Sequence, residues 1–258
     1  MTEDEKELSQ TITNQLNHKT IRSFKDKSVP KATLNKLLSV ASHTATSHFL
    51  QSFSVISITD PKLRQQISQI SEQKYINANG HLFIFIVDQY RAFSIARQET
   101  DQPLKLGSAD KFFQGVSDSL LAAQNMINAA ESLKLGTVAL GSILNDALRL
   151  IKLLELPKLT FPILGLIVGY PQQEPQFKPR LPKEMWHFTN QYQTPTNFDS
   201  LLAEYDQTIK TYYETRDTNR REETFSSLVT KSALNTPKKR AEIGQAIRKQ
   251  GFLNDLEI

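Results

Sequence analysis

Residues 161–186 read "FPILGLIVGYPQQEPQFKPRLPKEMW". Two kinds of chain meet in this stretch, and their meeting decides the fold. "FPILGLIVGY" is an unbroken apolar run of strand length, the pattern of a strand buried on both faces. Pro171, Pro175, Pro179 and Pro182 then follow in close succession. Proline fixes φ and pushes the residue before it to extended geometry, so "FKPRLP" reads as a stiff extended segment. In such a segment Lys178 and Arg180, two positions apart, share one side. A core strand that runs into rigidly held cations ends either in a solvated connection or in part of an anion site.

N-terminal to this stretch, strand and helix patterns alternate. "HLFIFIVD" (81–88) is a second fully apolar strand. "QSFSVISITD" (51–60) and "TVALGS" (137–142) are further strands. Leu8, Ile12 and Leu16 recur every fourth residue, which predicts an amphipathic first helix. "PKATLNKLLSVAS" and "PKLRQQISQIS" each open on a proline and read as helices. The longest helical pattern is "SADKFFQGVSDSLLAAQNMINAAESLKLG" (108–136), with Phe113, Val116, Leu120, Ala123, Ile127 and Ala130 as its expected buried face. A helix with an Asn145 cap follows, and then the strand at 161–170. The class is α+β: a mixed central sheet flanked by helices. Beyond the prolines come polar helices with narrow apolar stripes, a C-terminal helical excursion. The expected division is a core over 1–183 and an excursion over 184–258.

Composition narrows the chemistry. The chain has 258 residues, 39% hydrophobic and 22% charged, an ordinary globular balance. A net charge of +4 does not argue for nucleic acid. The mixed-charge run "TPKKRAEIGQAIRKQ" reads more simply as a solvated helix. There is no cysteine, which removes disulfides, thiolate catalysis, iron–sulfur clusters and cysteine zinc sites, and is compatible with a cytoplasmic setting. The acidic start "MTEDEKELSQ" is no signal peptide, and no apolar run approaches the roughly 18 residues of a membrane helix. G-x-G spacing and G-x-S-x-G do not occur. The five histidines show no metal-ligand spacing.

What remains is four clusters of cations and hydroxyls. In "HKTIRSF", if extended, His18, Thr20 and Arg22 share one side, a set suited to a phosphate monoester and a neighbouring polar edge. "SHTATSHFLQSFS" offers Thr44, Thr46 and Ser47 between a helix and a strand. "GTVALGSILND" places Gly141 and Ser142 where a strand ends, and glycine lets a ligand approach the backbone. Lys178 and Arg180 are the fourth. Each also has a bland reading, as a charged turn, a helix end, a β–α turn and a proline-rich link.

Taken together and in this order, the motifs resemble the flavin-dependent nitroreductase superfamily, in particular its NADPH-dependent flavin reductase and oxygen-insensitive nitroreductase group. The resemblance rests on "HKTIRSF" (18–24), "ASHTATSHFLQ" (41–51), the Gln73-Lys74 pair, "AAQNMINAAESLKLG" (122–136), "KLLELPKLTFPILGLIVGYP" (152–171), "KPRLP" (178–182) and "YYETRDTNRRE" (212–222). It covers nearly the whole chain. It implies noncovalent FMN and NADPH as electron donor. His18, Thr20, Lys178 and Arg180 would lie on the FMN phosphate with Lys19 beside them. Arg22 would face the pyrimidine edge. Thr46, Ser47 and His48 would lie along the ribityl chain and ring. Gln73 would bind the polar ring edge, and Gly141 and Ser142 would give backbone amides over the ring. Arg216 with Arg220 or Arg221 would meet the 2′-phosphate of NADPH. Lys19, Thr20, His48 and Ser142 stand where the group has arginine, serine, serine and glycine. The resemblance also implies a homodimer embraced by the excursion, ping-pong hydride transfer on the flavin, and small aromatic electron acceptors such as nitroaromatics, quinones or free flavin. A non-catalytic FMN-binding module is the competing reading.

Overall fold

The structure, a computed structural model, describes residues 8–216 and 219–255. Four strands form one sheet in the order β1-β2-β4-β3: β1 Phe53–Ile58, β2 His81–Asp88, β3 Gly136–Leu140 and β4 Thr160–Gly169. All three strand pairs are antiparallel, with a register shift in β2 between Phe85 and Ile86. The sheet's parallel component is an isolated bridge between Thr20 and Thr137. The class is α+β, as expected.

The two apolar strands lie at the centre because both their faces are covered. Side chains alternate across a strand. Leu82, Ile84 and Ile86 face one cluster with Ile67 and Ile70 of helix α3 (Pro61–Ser71) and Leu150 of α6 (Ala147–Leu153). Phe83 and Phe85 face the other, with Leu37 and Ala41 of α2 (Lys31–Ser42) and Ala122, Ala123 and Met126 of α5 (Ala109–Ser132). Removing a fully buried phenylalanine such as Phe83 from this kind of site costs about 3–5 kcal/mol.

Helix boundaries follow local chemistry. Asp60 caps α3 through Lys62 N–H with Pro61 at the first turn. Ser108 caps α5. The cap of α6 is Asp146, which accepts from Arg149 N–H at 3.0 Å, rather than Asn145. Helix α1 (Gln10–Leu16) forms where the four-residue spacing predicts, yet Ile12 and Leu16 are exposed. The face of α5 agrees with expectation in its C-terminal half, where Ala123, Ile127 and Ala130 are buried, and differs before it. Phe112, Gly115, Asp118 and Ser119 are buried, whereas Phe113 and Leu120 point out. This helix is apolar on two sides, so periodicity alone cannot say which side meets the sheet.

The C-terminal part divides. One compact unit holds the described residues up to Glu174 together with those from Pro237 onward; Pro175–Thr236 form the other. In the first, α9 (Ile243–Lys249) buries Ala246 and Ile247, and Phe252 packs its ring at a tilt against Phe112 with centroids 5.0 Å apart. The second is built on α7 (Phe198–Thr215) and α8 (Phe225–Leu234), joined through Tyr205, Ile209, Tyr213 and Phe225. No helix of the described residues is long and apolar enough to cross a membrane.

Candidate active site

Segment 18–24 runs beside β3. Ile21 N–H donates to Thr137 O at 2.8 Å, and Phe24 bridges Pro171. A carboxylate that spacing could not reveal holds this segment's imidazole. His18 Nδ1 lies 2.7 Å from Glu131 Oε1, and Thr137 Oγ1 donates to the same oxygen at 2.7 Å. Glu131 comes from the last turn of α5 and is largely buried. Lys19 pairs with the exposed Glu174, and Arg22 is exposed.

The loop from Thr46 to Ser52 is held in an unusual backbone. His48, Phe49 and Gln51 have φ of 51°, 60° and 51°, left-handed values that side chains with a Cβ rarely adopt. Thr46 and Ser47 are half-buried and His48 is exposed. Gln73 is half-buried after the left-handed Glu72, and its carbonyl accepts from Ser68 Oγ at 2.9 Å. Beside it, Arg64 donates to Gly80 O at 2.6 Å and Asn79 O at 3.0 Å. That guanidinium and, more strongly, burial push the His81 imidazole below its usual pKa.

Gly141 follows the last residue of β3. A Cβ built there would meet no protein atom within 4 Å, so its face opens on free space. Arg240, from the returning C-terminal segment, donates to Gly141 O at 2.9 Å and to Asn145 Oδ1 at 3.1 Å. Within the mixed-charge run read as a solvated helix, Arg240 therefore has a specific partner. The candidates at 18–22, 46–48, 73 and 141–142 all belong to one compact unit.

The other five candidates lie in the second unit. Lys178 and Arg180 are exposed and flank Pro179, whose carbonyl accepts from Tyr205 Oη at 3.3 Å. Burial raises the Tyr205 pKa, and Arg180 partly offsets this. The three arginines after α7 differ. Arg221 lies 4.1 Å from the Tyr213 ring centroid and 3.5 Å from Glu223 Oε2. Arg216 stacks near Tyr212 and Tyr213 at 5.4 Å from each centroid. Arg220 donates through Nε to Arg216 O at 2.6 Å. Glu214 and Glu222 pair with Lys210, so among the described residues neither takes one of these arginines.

Comparison with known proteins agrees with this architecture. The nitroreductase family matches residues 16–170, and the C-terminal domain of the nitroreductase family matches residues 178–255. An NADPH-dependent oxidoreductase of Staphylococcus saprophyticus is 35% identical over 252 residues, covering 95% of this chain and 99% of its own. An FMN reductase (NADPH) of Bacillus subtilis is 34% identical, covering 95% of this chain and 99% of its own. Among solved structures, the NfrA1 nitroreductase from B. subtilis superposes with a TM-score of 0.88 at 34% identity, over 94% of this chain and 99% of that one. The NADPH:FMN oxidoreductase from Vibrio harveyi, complexed with NAD+, superposes with a TM-score of 0.84 at 28% identity, over 95% of this chain and 99% of that one. The chain belongs to the nitroreductase family.

Proposed function

We propose that this chain is an FMN-dependent NADPH oxidoreductase that reduces small aromatic acceptors: nitroaromatics, quinones or free flavin. The observation that carries the reading is that relatives named for NADPH and FMN match the chain almost end to end.

The residues present fit the cofactor. Gly141 leaves open space where a flat ring can approach the backbone. The hydroxyls of Thr20, Thr46 and Ser47, the His18 imidazole and the cations Lys19, Lys178 and Arg180 suit a phosphate monoester on a polar chain. We assign the phosphate to His18, Lys19 and Thr20, and the ribityl chain and ring to Thr46, Ser47 and His48; for Lys178 and Arg180 the phosphate role rests on the resemblance alone. Gln73, Gly141 and Ser142 serve the ring's polar edge and face. Without cysteine the chain offers no thioether, so binding is noncovalent. When bound, FMN supplies a ring nitrogen that takes a hydride from NADPH and passes the electrons to an acceptor. Arg22 would supply a positive charge at the ring edge where negative charge accumulates. The Gly141 carbonyl and the Ser142 N–H belong to one peptide unit, so the Arg240 contact polarises that N–H as a donor. Donor and acceptor use one open face in turn, which gives ping-pong kinetics.

Arg216 and Arg220 form the 2′-phosphate clamp in this reading, and Arg221 holds the turn through Tyr213 and Glu223. A flavin carrier without turnover has no use for such a clamp, which favours the enzyme. A second copy of the chain covers the apolar residues that α1 and α5 expose, giving a homodimer in the cytoplasm. The test is to heat-denature the purified protein and identify the flavin in the supernatant. About one FMN per chain is expected. FAD, or flavin still attached to the denatured chain, would contradict the assignment.

A further inference from the structure

The loop from Thr46 to Ser52 pays for three left-handed non-glycine residues, and the structure shows what keeps them there. Such a backbone persists only where its surroundings over-determine it. Asp118 lies on α5, far away in sequence, and is 1% exposed. Its two carboxylate oxygens accept from the two ends of the loop: Oδ1 from Ser47 N–H at 3.0 Å and Oδ2 from Ser52 N–H at 2.8 Å. One turn earlier, Gly115 makes the approach possible. A Cβ there would lie 2.5 Å from Val87 Cγ1 and 3.0 Å from Ser52 O. From α4 (Tyr90–Glu99), Arg91 donates to the carbonyls of Gln51 and Phe53, the latter at 3.1 Å. An anion thus holds the loop's amides while a cation holds its carbonyls. The loop faces outward: Phe49 is 83% exposed and His48 is exposed.

We propose that Asp118 is a positioning residue for FMN: with Arg91 it sets the 46–52 loop in its binding shape before the flavin arrives. The inference rests on the FMN reading above. A loop that is already ordered loses no conformational freedom on binding, so its shape appears as affinity. In the Asp118→Asn variant the side chain keeps its size but turns an amide N–H₂ toward one of the two backbone N–H donors, and the loop is released at one end.

The experiment titrates FMN into flavin-free protein, followed by flavin fluorescence, alongside hydrogen exchange of the 46–52 amides in the flavin-free state. Asp118→Asn should raise the FMN dissociation constant about tenfold, about 1.4 kcal/mol. Of the Ser47 and Ser52 amides, both protected in the wild type, one should exchange freely. Should this variant not fold, Arg91→Gln releases the same loop from its partly exposed side and should weaken FMN severalfold at an almost unchanged melting temperature. A residue that only supports the fold would lower the melting temperature and leave the dissociation constant and loop protection as in the wild type, and that result overturns the proposal. A wild-type chain that takes up no FMN in the same titration overturns the FMN reading as well, so the two failures are distinguishable.

Discussion

His18 reaches its place through Glu131. The imidazole Nδ1 and the Thr137 hydroxyl converge on one carboxylate oxygen, which fixes the ring and leaves Nε2 as the unengaged nitrogen. An orienting carboxylate of this kind sets which ring nitrogen carries the proton. His81 presents the opposite case: its Nε2 is buried without a partner in the fold, and desolvation, then Arg64, lowers its pKa. The folded state therefore holds this imidazole neutral, while the unfolded chain takes up a proton near the ordinary value of 6.5. It follows that His81 lends stability that is fully present above that pH and is lost as pH falls through the lowered folded value. Flavin-free wild-type protein should lose melting temperature between about pH 7.5 and pH 5, and His81→Phe should lose less. Equal losses in the two proteins would place the acid sensitivity elsewhere.

At the scale of elements, the proposed clamp in the turn after α7 makes a prediction about the electron donor. NADPH and NADH differ by one phosphate, so discrimination requires cations free to meet it. Arg216 and Arg220 have no carboxylate partner among the described residues, whereas Arg221 pairs with Glu223. Two charge-assisted contacts of about 1–2 kcal/mol each correspond to roughly a thirtyfold to several-hundredfold preference in kcat/KM. Arg216→Ala combined with Arg220→Ala should remove most of the NADPH efficiency and leave NADH nearly unchanged; an equal fall with both donors would make these arginines structural. Elements also mark what the sequence could and could not disclose. β2 and β4 were legible because a strand covered on both faces must be apolar throughout, and α3 because Asp60-Pro61 is a local start signal. Segments 18–24 and 46–51 stood out by their residue types. Glu131, Asp118 and Arg240 did not, because each acts on a backbone or ring between 66 and 113 positions away, a pairing only the folded chain creates. The buried face of α5 was legible at Ala123, Ile127 and Ala130 but not at Phe112 and Gly115, because the first half of the helix is apolar on both sides.

For the whole molecule, the second apolar side of α5 is the feature a single chain leaves unexplained. Phe113 is 62% exposed and Leu121 49%, and α1, which packs against α5, exposes Ile12 and Leu16. An apolar surface drawn from two neighbouring helices calls for a partner. The proposed homodimer would account for it, and replacing Phe113 and Leu121 together by glutamate should then give a monomer in sedimentation equilibrium where the wild type sediments as a dimer. A monomeric wild type would remove the dimer from the account. The chain belongs to a family of oxidoreductases, and the central claim is that it takes electrons from NADPH onto bound FMN. The most direct measurement is an anaerobic titration of the FMN-loaded protein with NADPH, followed in the visible flavin absorbance. The account predicts that the flavin band bleaches with about one NADPH per chain and returns when a quinone or nitroaromatic is added. A band that stays unchanged under excess NADPH would contradict it.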